Sequence, residues 1–420
     1  MLKLINPCDL LKMLECPSRG PKTLDLHTNR VNSVAVTSLI LGRIVYAVNW
    51  YSMAAVFSLV ASELKQDVSG LAIVTAAFYV GIGLFQVPGG ILAAKIGPRL
   101  TVIYGTTIAS LAALLTGFAG NLAEIIVLRF FVGTGMALVF APAVILVTRF
   151  LRKGSEGLGV GVYNSAFSLG GAIGLSGLAV LAGEIGWHTS LALSGSLGLV
   201  TSLLMIVCLP KDNVRSDFKI DLRCLKFILL DKWLIALSIA LLGLSVGSSV
   251  VGNFMAYYLE NVFHVGVGEA GTIASLAVVS ALVTAPFSGR IFDRFGNAKL
   301  LLLVTGALMA VGIGVASLAT LYSAIASGIL VGLASGAGFT FGFAAAREAN
   351  RLGPEYETLA VSWVNSVSLF GDFVPPLIFS YFTIELGYSF AWSFVALLSF
   401  VLILPVLFAK ASTGKTLPQP

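Results

Sequence analysis

Three ionisable side chains interrupt apolar stretches of the chain that are otherwise free of charge: Arg43, Arg129 and Asp372. Keeping such a group in an apolar surrounding is expensive, which makes each a functional candidate. Arg43 shares a helix face with Tyr46 and Trp50, three and seven residues on, and Asn49 adjoins them. A guanidinium offers a planar fork for a carboxylate or phosphate, and rings beside it can cover an apolar body. That set of residues suits an organic anion. The competing reading of Arg43 is a structural pair with Asp372, or a side chain that snorkels towards water. Asp372 stands next to Pro375 and Pro376, which interrupt the helix ladder. A buried carboxyl whose surroundings alternate can take up and release a proton; a permanent ion pair is the equal alternative. Arg129 could serve that coupling, or brace helices through backbone carbonyls. Asn253 and Tyr257, one turn apart, offer hydrogen bonds, as do Trp363, Asn365, Tyr79 and Asn164. For each of these alone, ordinary packing explains the residue as well.

The elements that must position these groups follow from composition. Apolar residues are 57% of the 420 and charged residues 11%, well below the charge of a soluble domain. Runs of about 20 apolar residues recur along nearly the whole chain. Bounded by charge and turn residues, they predict twelve helices, near 34–59, 70–93, 99–119, 123–147, 158–182, 187–209, 233–258, 268–289, 299–317, 320–345, 358–383 and 388–409. In a bilayer each must satisfy its own backbone, so helices are the only choice. Twenty-three of the 26 Lys and Arg fall in segments on one side of this topology, and one, Lys65, on the other. The positive-inside rule then puts both termini in the cytoplasm. At the rise of a helix, Arg43 lies about 14 Å and Asp372 roughly 20 Å in from the cytoplasmic side, and Arg129 about 10 Å in from the outside.

The net charge of +6 is thereby a membrane-surface feature, and nucleic acid is not an expected partner. No cleavable signal peptide is evident in the first 32 residues. Cys8, Cys16, Cys208 and Cys224 all fall on the cytoplasmic side, where a disulfide is not expected. No tight ligand spacing suggests a metal, and no cofactor is expected. His27, His188 and His264 lie in the tail or near helix ends, so enzyme chemistry within the membrane has no constellation to use.

A short stretch occurs twice. Gly90, Lys95 and Gly97, followed by Arg99, recur 199 residues later as Gly289, Arg294 and Gly296, with Asp293 beside Arg294. Each copy is a tight basic link between two membrane-length runs. Twelve helices, this repeated link, and a basic segment at 210–232 after the sixth helix together resemble the major facilitator superfamily of secondary transporters. The second copy matches the family signature at Gly289, Asp293, Arg294 and Gly296. The first has Ala94 where the family has Asp. In the family these links latch the cytoplasmic gate, and the resemblance implies that role for both copies here. Arg129, Gly133 and Gly135 on helix four match a further family pattern. Helix five lacks the Gly-Pro of drug antiporters, and its run from Gly159 to Gly171 is similar to the anion–cation symporter branch.

The resemblance implies an all-α membrane protein of two pseudo-symmetric six-helix halves, 33–209 and 233–409, joined by the linker 210–232 and flanked by cytoplasmic tails 1–32 and 410–420. It implies alternating access to a central site, a small-molecule solute, and a monomer in the cell membrane. On this reading Arg43, Tyr46, Asn49, Trp50, Asn253, Tyr257 and Trp363 contact an anionic organic solute, and Asp372 and Arg129 serve proton symport. An uncoupled facilitator, an exporter of apolar compounds and a transporter-like solute receptor are the alternatives. Nitrate and nitrite carriers of the family place an Arg in the middle of helices two and eight, and here 70–93 and 268–289 have none.

Overall fold

The structure is a computed structural model that describes residues 32–151, 156–211, 229–348 and 354–409. The tail with Cys8 and Cys16, linker residues 212–228 with Cys224, Arg152, Lys153, Arg351 and the tail from 410 lie outside the described residues. Among the described residues, twelve helical spans are long and apolar enough to cross a membrane, and no strand occurs. The first half comprises α1 (Ser33–Leu64), α2 (Val68–Ile96), α3 (Pro98–Thr116), α4 (Leu122–Ala137 and Phe140–Arg149), α5 (Glu156–Ala172 continuing to Leu178–Ile185) and α6 (Trp187–Cys208). The second comprises α7 (Lys232–Phe263), α8 (Val267–Phe295), α9 (Ala298–Ala316), α10 (Leu321–Glu348), α11 (Pro354–Gly371 and Val374–Leu386) and α12 (Tyr388–Ile403 with Pro405–Phe408).

Several helices run about a turn past the expected C-terminal ends, α1 to Leu64, α7 to Phe263 and α8 to Phe295, and polar residues cap several starts. Asn32, Asp67, Asn121, Asp231 and Asn297 each accept a hydrogen bond from a backbone N–H of the first turn, satisfying donors that would otherwise be orphaned. Four spans are interrupted, α12 among them just before Pro405. A π-turn at Ile173–Gly177 widens α5. In α4 the break precedes Pro142, and in α11 it precedes Pro375 and Pro376, as loss of a ladder N–H requires.

The internal repeat extends beyond the two basic links. A Cβ on Gly133 would lie 2.2 Å from the Phe78 carbonyl on α2, and one on Gly332 would lie 2.1 Å from the Ala277 carbonyl on α8. These glycines are 199 residues apart and let α4 and α10 approach equivalent partners at backbone distance. Arg99 at the start of α3 donates to the carbonyls of Ile206 (2.7 Å) and Leu209 (2.8 Å) at the end of α6. Lys299, at the start of α9, donates to Leu407 at the end of α12 (3.1 Å). Each cation meets the negative end of a helix dipole within its own half.

The halves meet through α1 with α7, α2 with α11, and α5 with α8. Part of this contact lies at the face bearing the 64–68 loop. There Ser176 and Thr272 share a hydrogen bond of 2.9 Å, Phe57 meets Tyr257 edge-on at 5.6 Å, and the Tyr51 ring lies against Gly252. Near mid-depth Gly83 of α2 abuts Phe370 of α11. At the basic face Phe140–Arg149 and α10 pack within their own halves. Gly90 and Gly289 face open space, and Lys95, Arg290, Asp293 and Arg294 are exposed. Among the described residues the two halves thus touch both at the far face and near mid-depth.

Overpacking a well-filled contact costs about 1–3 kcal/mol, and here the obstacle is backbone. Gly133→Val and Gly332→Val should each lower stability by at least that much in detergent thermal unfolding. Gly90→Ala, with nothing near its Cβ, should leave the transition unchanged or slightly raised.

Candidate functional site

Arg43 lies in the first half with 6% of its surface exposed. Its guanidinium is ringed by Tyr46 on its own helix (4.6 Å to the centroid), Phe140 on α4 (4.9 Å), and Tyr163 and Phe167 on α5 (5.0 and 4.6 Å). Among the described residues no acid completes this box, and the Arg43 Nε and Nη1 have no hydrogen-bond partner. Between two described residues, the one ion pair of the structure is His188 with Glu63 at the far face. Arg43 and Asp372 therefore do not pair. Cation–π contacts contribute roughly 0.5–2 kcal/mol each and offset part of a desolvation cost of several kcal/mol for a buried ion. They do not supply acceptors for N–H groups that point in fixed directions. An oxyanion would.

Asp372 is fully buried in the second half, at the break in α11. One carboxylate oxygen accepts a short hydrogen bond from the Ser245 hydroxyl on α7, and the other, Oδ1, has no partner. Tyr79 on α2 faces this carboxylate from the first half. Its hydroxyl lies 3.5 Å from Asn253 Nδ2, which also donates to the Ser249 carbonyl at 2.7 Å.

A wall of rings connects the two charged positions. Trp50 contacts Tyr46 at 5.9 Å, Phe167 at 5.6 Å, Phe78 at 4.8 Å and Tyr79 at 6.0 Å, mostly edge-on. Tyr46 and Trp50 thus form a chain of rings from Arg43 to Tyr79, which Asn253 touches from α7. Asn49 does not share that surface: its amide is engaged with Val45 on α1 and with Ser194 on α6. Tyr257 lies a turn farther out, in the closed contact with Phe57. Trp363 on α11 has its indole N–H buried without a partner.

Arg129 is 3% exposed and binds backbone. It donates to the carbonyls of Asn49 (3.0 Å) and Trp50 (3.1 Å), reaches the Ser52 hydroxyl (3.4 Å), and lies 4.8 Å from the centre of the Phe78 ring. It fastens α4 to the segment of α1 that carries Trp50. Tyr163, Phe167, Phe140 and Ser245 were not among the residues expected from sequence. Tyr163 and Phe167 are spaced by four on α5, and Ser245, Ser249 and Asn253 repeat every four on α7, so a one-face reading of each helix would have found them. Nothing comparable in the sequence marks Phe140.

A twelve-span, two-half bundle with ionisable groups buried inside it is the architecture of a membrane transporter. The chain belongs to the Major Facilitator Superfamily, whose model matches residues 39–251 and 237–419. Over 350 residues it is 24% identical to the "Probable nitrate transporter NarT" of Staphylococcus haemolyticus, covering 80% of this chain and 85% of that one. Over 390 residues it is 25% identical to the "Nitrite extrusion protein" of Bacillus subtilis, covering 89% and 93%. It is 33% identical to the "Probable sulfoacetate transporter SauU" of Cupriavidus necator, but over 130 residues, 31% of this chain and 30% of that protein. Among solved structures it is similar in fold to the nucleoside transporter NupG (TM-score 0.74, 14% identity, 89% and 99% of the two chains). It is likewise similar to an inward-facing bacterial homolog of the human lysosomal transporter Spinster (TM-score 0.69, 16% identity, 91% and 96%). The chain is a multi-pass membrane transporter of a small molecule.

Hydrogen bonds to a charged group are worth about 1.5–3 kcal/mol, and a lysine cannot reproduce the fork of Arg129. Arg129→Lys should lower stability by about that amount in detergent unfolding. A purely electrostatic role would instead leave stability intact, since Lys keeps the charge.

Proposed function

We propose that the protein moves a small organic anion across the membrane by alternating access, with a proton as the coupling ion. The observation that carries this reading is the buried, acid-free guanidinium of Arg43, with two N–H-bearing nitrogens unpartnered inside an aromatic box. Arg43 holds the anion. Tyr46, Trp50 and Asn253 shape its surroundings, with Tyr163 and Phe167 as further walls. Asn49 and Arg129 set the course of α1 and act on the solute through Trp50. Trp363 offers one N–H from α11, and Tyr257 works in the far gate. Asp372 carries the proton: a lone buried carboxyl with one oxygen free exchanges protons when its surroundings open.

In this reading the basic face is cytoplasmic, as the positive-inside rule requires, and both termini with it. The links at Gly90–Arg99 and Gly289–Gly296 latch the cytoplasmic gate when it closes. Arg99 and Lys299 brace each half as it moves. The protein acts as a monomer in the cell membrane, without nucleic acid and without covalent chemistry.

An inorganic oxyanion is the second reading, favoured by the printed names of two relatives that align along most of their length. Against it, α2 has no Lys or Arg before Lys95, and α8 has none before Arg290.

Transport in vesicles separates these readings. A panel of carboxylates, sulfonates, nitrate, sugars and apolar cations is offered while external pH is followed. Carboxylate or sulfonate uptake should alkalinise the medium, and Asp372→Asn should abolish the proton signal. Arg43→Ala should raise the half-saturating concentration by roughly tenfold or more, the equivalent of about 1.4 kcal/mol. Uptake of nitrate alone would establish the second reading. Movement of neutral sugars or cations alone would overturn both.

A further inference from the structure

The break in α11 is unusually rich in oxygen and poor in donors. Pro375 and Pro376 have no N–H, so the carbonyls of Gly371 and Asp372 lose the partners that a continuous helix would give them four residues on. The half-helix Pro354–Gly371 ends here, and its negative dipole end adjoins the Asp372 carboxylate. The following half-helix cannot compensate in the usual way. Two of its first three residues are proline, and no side chain caps it. Into this junction, fully buried, the protein places a carboxylate whose Oδ1 has no partner. The Ser245 hydroxyl stands at its other oxygen.

Buried negative groups of this kind call for a cation. A proton on Asp372 would neutralise the carboxylate and leave the two carbonyls without partners. A small metal ion would engage both kinds of oxygen. Among the described residues no cluster of three His, Cys, Asp or Glu exists, so neither a soft transition metal nor a multiply charged ion has its ligands. One carboxylate balances one positive charge. Unwound carbonyls at a broken membrane helix are a known setting for such an ion.

We propose that the α11 junction is a sodium site. Asp372 Oδ1, the Ser245 hydroxyl, and the carbonyls of Gly371 and Asp372 form it, with sodium and the proton competing for the carboxylate. The titratable group that faces Asp372 from a packed helix is Tyr79 on α2, and α7 contributes the neutral Ser245. The proposal rests on Asp372 as the coupling position, but sodium binding requires no solute to move.

The test is direct binding of radioactive sodium to the full-length protein in detergent, with choline chloride holding ionic strength, at one alkaline and one acidic pH. Saturable binding is expected at alkaline pH, weakened by acid and not displaced by choline. Asp372→Asn should weaken it roughly tenfold or more, and Ser245→Ala should weaken it less. The double variant Pro375→Ala, Pro376→Ala gives the carbonyls back their N–H partners and should weaken it while leaving the carboxylate in place. Wild-type protein that binds no sodium overturns the site. So does Asp372→Asn protein that binds as well as wild type. If sodium fails to bind while the vesicle assay still reports proton-coupled anion uptake, the metal site alone falls. If sodium binds but no anion moves, the transport reading falls and the site stands.

Discussion

An arginine without an acid organises this molecule. Arg43 is buried against four rings, and among the described residues no carboxylate is within ion-pair distance. Bringing a guanidinium into such a place costs several kcal/mol, and the rings return only part of it. The remaining demand, at Nε and Nη1, is for an acceptor, which a solute can supply. Everything nearby is arranged to hold that box in shape. Arg129 grips the carbonyls of α1 just past Tyr46, Asn49 ties the same turn to α6, and Gly133 lets α4 come close enough to α2 to build the wall.

The opposing charge sits in the other half. Asp372 and Arg43 belong to separate six-helix units, linked through Trp50 and Tyr79 rather than through a salt bridge. A permanent pair would have tied the halves together and opposed rocking. Two unpaired, oppositely charged sites on separate bodies can instead be filled in turn by an anion and a cation, each biasing the relative position of the halves.

Much of this was legible in the sequence. The spans, the two-half repeat and the three buried charges all follow from hydropathy and from the copies at Gly90 and Gly289. The expected ends of α1, α7 and α8, at 59, 258 and 289, fall short of Leu64, Phe263 and Phe295 because charged residues such as Glu63, Glu260 and Arg290 end an apolar run without ending a helix. The site was less legible, for a physical reason. Asn49 lies beside Tyr46 and Trp50 in sequence, yet its amide is consumed by Ser194, 145 residues away. Tyr257 continues the face of Asn253 but falls at the level of the gate. Phe140 reaches Arg43 because α4 breaks before Pro142. Such facts depend on which helices become neighbours, and hydropathy carries no information on that.

The central claim is that Arg43 is the acceptor of an anion, and equilibrium binding tests it most directly. Calorimetric titration of the purified protein with short carboxylates and sulfonates, wild type against Arg43→Gln, separates affinity from transport. The account predicts saturable binding of at least one such anion to the wild type and its loss in Arg43→Gln, with the same unfolding temperature for the two proteins. Equal affinity in both would contradict it, and would make Arg43 a structural cation in an aromatic cage.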